Sequence, residues 1–216
     1  SVHRGNLEQV DSVLRLAVAH GARSLKLNPV VPVGRGSAMD GLGERLTFAE
    51  RSELRRRVRE ELGPGAPIPV ILEAPAALLP LPELARRRNA LSDCGIRNVL
   101  GILGSGEIAL CGMGRNSSDW VYGRLGVESL REIWLHHPTL LALRRALDDP
   151  ESYPGICGEC VHASQCATGC VAHNYVDSRR LVWPNWQCTE TDELGAFPPT
   201  RRRRRPERRD SALTSG

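Results

Sequence analysis

Cys157-Gly158-Glu159-Cys160-Val161-His162-Ala163-Ser164-Gln165-Cys166-Ala167-Thr168-Gly169-Cys170 is the stretch on which the reading of this chain turns. It spaces four thiols as CX2CX5CX3C, and Cys188 follows after seventeen residues. Ahead of it stands Cys94-x11-Gly106-x4-Cys111. Any one pair is weak evidence, whereas the whole series is specific. All seven cysteines fall between Cys94 and Cys188, and the preceding residues have none. This asymmetry marks a boundary near Ala90 and divides the chain into 1–90, 91–192 and a tail, 193–216.

The first part alternates helix and strand. Asn6 and Gln9 have the spacing of a capping box, and Leu7, Val10, Leu14, Ala17 and Val18 share one helical face until Gly21. SLKLNPVVPV, residues 24–33, reads as a buried strand broken by Pro29 and Pro32. Gly34-Arg35-Gly36 reads as a loop. Thr47 and Glu50 form a second capping box before Leu54, Val58 and Leu62, with Gly63 and Pro64 as the stop. Ile68 to Leu72 is another apolar strand. Such alternation predicts a parallel sheet with helices outside it, the later half of a larger α/β domain.

Beyond Val99 the pattern changes. NVLGIL, Gly104-Ser105-Gly106 and EIAL predict a hairpin, which would bring Cys94 and Cys111 together. Leu130, Ile133 and Trp134 follow at helical spacing, and Pro138 opens a helix through Leu140, Leu141, Arg144 and Leu147. Nothing after Cys188 is periodic enough to predict an element.

The net charge of +4 arises in the tail: Arg201 to Arg205, Arg208 and Arg209, less Glu207 and Asp210, leave the rest of the chain near neutral. Such a run reads as a solvated, self-repelling end rather than a nucleic-acid site. No apolar stretch is long enough to span a bilayer, so the expectation is a soluble, cytoplasmic chain with no membrane partner. A reducing compartment leaves an odd set of cysteines as thiols, which favours metal binding over disulfides. Thiolates suit soft metals and iron-sulfur cubanes, and a cubane takes four of them. Zinc in one or two sites is the alternative, although two four-coordinate sites need eight ligands.

The series CX9-15GX4C, CX2CX5CX3C and a final C resembles the SPASM extension of radical S-adenosylmethionine (SAM) enzymes that modify peptides. SLREIW at 129–134 and GICGECVHASQCATGCVAHNY at 155–175 are also similar to that family. WPNWQCTETDELGAFPPTR at 183–201 is most similar to the maturases of SynChlorMet-type cassettes. The resemblance implies a remnant of the radical SAM partial barrel over 1–90 and a small Cys-rich domain over 91–192. It also implies two auxiliary 4Fe-4S clusters, one on Cys94, Cys111 and Cys170, the other on Cys157, Cys160, Cys166 and Cys188. Many relatives carry an eighth cysteine shortly before the position of Cys94, but ARRRNALSD at 85–93 has none. Asp93, His173, a substrate group or a small thiol is then left to complete the first set.

SVHRGN and LKLNPVVPVGRG resemble the ends of the fifth and sixth barrel strands, which makes Asn28, Gly34 and Gly36 the expected SAM contacts. The CX3CX2C loop that would hold a SAM-cleaving cluster is absent from this sequence. Cys166-x3-Cys170-x2-His173 only approximates it. The implied partners are a precursor peptide and a redox partner; SAM and a third cluster belong to a longer form. A non-catalytic iron-sulfur module for electron transfer or docking is the reading from a different class. His162, His136 and His137 read as surface or capping residues, and Trp134, Trp183 and Trp186 as packing around the clusters.

Overall fold

The computed structural model describes residues 1–87, 95–112 and 117–203. The first amphipathic segment forms as a 3-10 turn, Arg4–Gln9, running into α1, Val10–Ala19. Its sheltered positions are Leu7, Val10, Leu14, Ala17 and Val18, while Val13 and Leu16 face solvent. The cap differs from expectation. Asn6 lies inside the first turn and its Oδ1 accepts the His3 N–H at 2.9 Å, because Arg4 N–H is already tied to the Glu44 carbonyl and starts the turn early. Gly21, at φ +69°, ends the helix as only a residue without Cβ does readily.

β1, Leu25–Leu27, pairs in parallel with β2, Val70–Leu72, in the register Leu25–Val70, Lys26–Ile71, Leu27–Leu72. A parallel pair requires a crossover. It is built from α2, Gly36–Gly41, then α3, Phe48–Arg57, a π-helical turn Val58–Leu62, and α4, Gly63–Gly65. The Thr47 capping box forms as expected: Thr47 Oγ1 accepts the Glu50 N–H at 3.2 Å and Glu50 Oε2 accepts the Thr47 N–H at 2.7 Å. Leu54, 1 % exposed, then packs with Val2, Val10, Leu27, Leu46 and Leu72 in the first core. The expected loop at 34–36 is shorter than read. Gly36 already belongs to α2, and a Cβ there would stand 2.1 Å from the Val31 carbonyl oxygen.

A 3-10 turn at Ala76–Leu78 and α5, Leu81–Arg87, follow β2. The boundary at Ala90, together with Asp93 and Cys94, lies outside the described residues. The hairpin forms as β3, Gly101–Ile102, and β4, Glu107–Ala109, with Gly106 at φ +81°. A third strand, β5, Val121–Arg124, adds antiparallel to β4. α6, Leu130–His136, and α7, Pro138–Leu147, bury Ile133, Leu140, Leu143 and Leu147 against Ile108, Leu110 and Trp120. The Trp120 ring meets Tyr175 edge-on, with centroids 4.6 Å apart.

Among the described residues four short helices follow, α8, Gly155–Gly158, α9, Ala163–Cys166, α10, Val171–Ser178, and α11, Trp186–Glu193, and then a 3-10 turn, Pro199–Arg201. The expectation of a free end from 193 onward needs correction through Arg203. Phe197 is buried, Arg202 bridges to Cys160, and the Val161 N–H bonds to the Arg201 carbonyl at 2.9 Å. Arg202 also pairs with Glu159 at 2.6 Å and with Asp192. These arginines are held because each meets a carboxylate or a carbonyl. Residues 204–216 lie outside the described residues. The fold is mixed α/β with small sheets. Among the described residues no helix is long and apolar enough to cross a membrane.

Candidate metal centre

Cys157 and Cys160 are set by α8 and the turn after it. Gly158 between them is a steric necessity, since a Cβ there would lie 2.1 Å from the Tyr153 carbonyl oxygen. The Cys160 N–H bonds to the Cys157 carbonyl at 3.2 Å, and the His162 N–H donates to Cys160 Sγ at 3.4 Å. α9 delivers Cys166. Ala167, Thr168 and Gly169 then take φ of +48°, +62° and +74° in succession. Left-handed backbone at two residues carrying a Cβ costs free energy and persists only when its surroundings hold it.

Buried Asn174 supplies that hold: its Nδ2 donates to the Thr168 carbonyl and to the Trp183 carbonyl, both at 2.9 Å. The reversed backbone sends Cys166 and Cys170 to different places. Cys188 arrives on the first turn of α11, capped by Asn185, whose Oδ1 accepts the Gln187 N–H at 2.9 Å.

Cys157, Cys160, Cys166 and Cys188 line one small cavity of about 20 Å³, with Ala77, Ile156 and Phe197 on its apolar side. Burial pushes the Cys157 thiol up to about 12; the Asn185 N–H opposes this, and Cys166 and Cys160 reinforce it. Burial raises Cys188 further, with Cys157, Cys166 and Cys160 adding to the shift and Arg55 opposing it. Cys160 is raised by burial and eased by the His162 N–H, Arg203 and Arg201. The four sulfurs thus feel one another across a dry space.

Cys170, the N-cap of α10, is raised by burial, eased by the N–H groups of His173 and Ala172, and raised again by Cys111. Cys111 stands two residues after β4. Cys170 is thus within electrostatic reach of Cys111 and does not line the cavity of the other four. Cys94, expected with them, lies outside the described residues.

Between the two halves runs an open cleft of about 770 Å³. Asn28 and Gly36 are on its wall with Arg35, and Cys166, Cys170 and His173 face it from the Cys-rich side. Gly34 does not line it; at φ +57° it serves the turn. Trp134 lies under Arg144 at 4.0 Å and Trp183 under Arg180 at 4.8 Å, whereas Trp186, under Arg51 at 4.6 Å, also lines the cleft with Cys166 and Cys170. His136 is exposed and His137 is the N-cap residue of α7, as read; the His137 ring also lies against Tyr122, with ring centroids 4.5 Å apart.

Sequence reasoning passed over Arg55, Arg201 and Arg203 beside the thiols, and Asn174 beneath the turn. The Asn185 cap directly before Trp186 was a usable signal. No known family model matches the chain, and no curated protein matches it.

The donor set fits an iron-sulfur core. Four thiols line one small cavity, the number of ligands a cubane takes. Among the described residues no three His, Cys, Asp or Glu side chains are gathered as a single metal ion would need.

Proposed function

We propose that this chain binds two 4Fe-4S clusters as the C-terminal part of a radical SAM/SPASM enzyme that modifies a ribosomally made peptide. One observation carries the reading: Cys157, Cys160, Cys166 and Cys188, scattered over 32 residues of sequence, line a single cavity, whereas Cys170, within electrostatic reach of Cys111, does not line it. The CX2CX5CX3C series and the interleaving of its last cysteine with Cys111 support the same assignment. Zinc is the weaker fit. Two four-coordinate zinc sites need eight ligands, and the chain has seven cysteines.

The bound clusters would supply one-electron transfer or substrate engagement. The chain's own residues do the rest. Ala77, Ile156 and Phe197 exclude water from the second site. The Asn185 and His162 N–H groups stabilise sulfur that has lost its proton. The cleft between Asn28 and His173 has the dimensions for a peptide segment, with SAM approached from the Asn28 to Gly36 side.

Anaerobic reconstitution tests the proposal. About eight irons and eight sulfides per chain are expected, four of each per cubane. Stoichiometric zinc without sulfide would end it. An in-frame CX3CX2C encoded ahead of Ser1 would mark an enzyme; a gene without one would favour the electron-transfer or docking module.

A further inference from the structure

Helix α3 turns two guanidiniums toward α11. Arg51, 3 % exposed, is matched: it pairs with Glu190, donates to the Leu46 carbonyl and lies over the Trp186 ring. Arg55, one turn on, is not matched in the same way. It donates to Gln187 Oε1, a neutral amide, and among the described residues no carboxylate lies within ion-pair distance of it. Arg55 is half-buried where α3 meets α11, and its amide partner is the residue before Cys188.

A guanidinium withdrawn from water is strongly disfavoured unless an anion compensates it. Glu190 is already taken by Arg51. The thiol nearest to this contact is Cys188, which directly follows Gln187 on the first turn of α11. Four thiolates around a 4Fe-4S core leave a net negative charge, and one-electron reduction adds one more. A fixed cation alongside therefore favours the reduced form.

We propose that Arg55, contributed by the first region of the chain, is the fixed counter-charge of the second cysteine site and raises the reduction potential of the cluster held there. The proposal rests on the cluster reading. Arg203, on the Cys160 side, is a control, since it is already matched by Glu151 at the surface.

The test uses the full chain reconstituted anaerobically with iron and sulfide, with dithionite as electron donor and an EPR-monitored titration as readout. Arg55→Gln is expected to lower the reduced-to-oxidised ratio of the second cluster about tenfold at a fixed potential, a shift of about 59 mV for one electron. Arg55→Lys should keep most of the wild-type potential, and Arg203→Gln should move it little. An unchanged potential in Arg55→Gln at full iron content overturns the proposal, as does an Arg55→Lys shift as large as that of Arg55→Gln. Should Arg55→Gln fail to hold the second cluster, retention by Arg55→Lys supports the counter-charge, and equal loss in both overturns it. Wild-type protein without iron and sulfide would instead defeat the cluster reading itself, and would do so before any variant is measured.

Discussion

Cys166 and Cys170 stand four positions apart and both border the cleft, but only Cys166 also lines the cavity shared with Cys157, Cys160 and Cys188. The three left-handed residues between them make the separation. A helical continuation from α9 would have carried Cys170 onto the same face as Cys166, because residues four apart stack on one side of a helix. The different placement of Cys170 therefore follows from the backbone reversal, which Asn174 braces.

Removing Asn174 should expose the effect of that brace. Asn174→Ala deletes the donors to the Thr168 and Trp183 carbonyls and leaves both oxygens unpaired in a buried setting. The expected loss is about 1–3 kcal/mol of unfolding free energy in urea. Gly169→Ala should be as damaging, since its Cβ would stand 2.7 Å from Asn185 Nδ2 at a φ of +74°. Wild-type stability in both variants would show that the turn holds itself.

Single cysteine substitutions should divide the iron content. Cys188→Ala is expected to remove about half of the iron and sulfide and leave the other cluster's EPR signal intact; Cys170→Ala should remove the complementary half. Loss of all iron from either variant, or of none, would contradict the separation of Cys170 from the other four.

The parts of the fold that were legible in sequence are those fixed by neighbours in the chain. Thr47 and Glu50 close their cap within one turn, Gly21 and Gly106 take the positive φ that glycine tolerates, and Pro138 opens α7. What escaped depended on distant partners. β5 is short and interrupted by Gly123, whose hydrogen leaves space that a Cβ would lose to Glu128 and to Ile133, 2.9 and 3.0 Å away. Arg201 to Arg203 read as a solvated charge run because nothing local announces that Glu159, Asp192 and the Cys160 strand edge lie in wait. At the site the same division holds: spacing pointed to the cysteines, but one arginine among several in RSELRRR carries no mark of reaching the residue before Cys188.

The Thr47 cap should give the stability of the first region a defined acid limit. Arg4 and the Thr47 N–H hold the Glu50 carboxyl down at about 2 from an ordinary 4.5. A depressed carboxylate contributes its full stabilisation above the unfolded-state value and loses it as pH falls toward the folded one. Stability should decline between about pH 4.5 and pH 2, and Glu50→Gln should flatten that part of the curve. Because the group is near the surface, the effect is that of a cap, about 1 kcal/mol. A wild-type curve that coincides with that of Glu50→Gln over this range would show that the carboxylate is not held in solution.

Phe197 tests the link between the docked tail and the second site. Its ring is 4 % exposed, packs with Ala77, Ile156, Cys160 and Cys188, and is capped by the Arg202 guanidinium 5.4 Å from its centroid. Phe197→Ala should cost about 3–5 kcal/mol, because the transfer loss adds to a cavity that cannot close around short neighbours. It would also admit water and oxygen to the sulfurs. Visible absorbance of the reconstituted variant should then bleach in air faster than wild type, with the iron lost first being that retained in Cys170→Ala. Equal bleaching rates would mean that residues other than Phe197 keep the site dry, and would confine the tail's role to the ion pairs of Arg202 and Arg203.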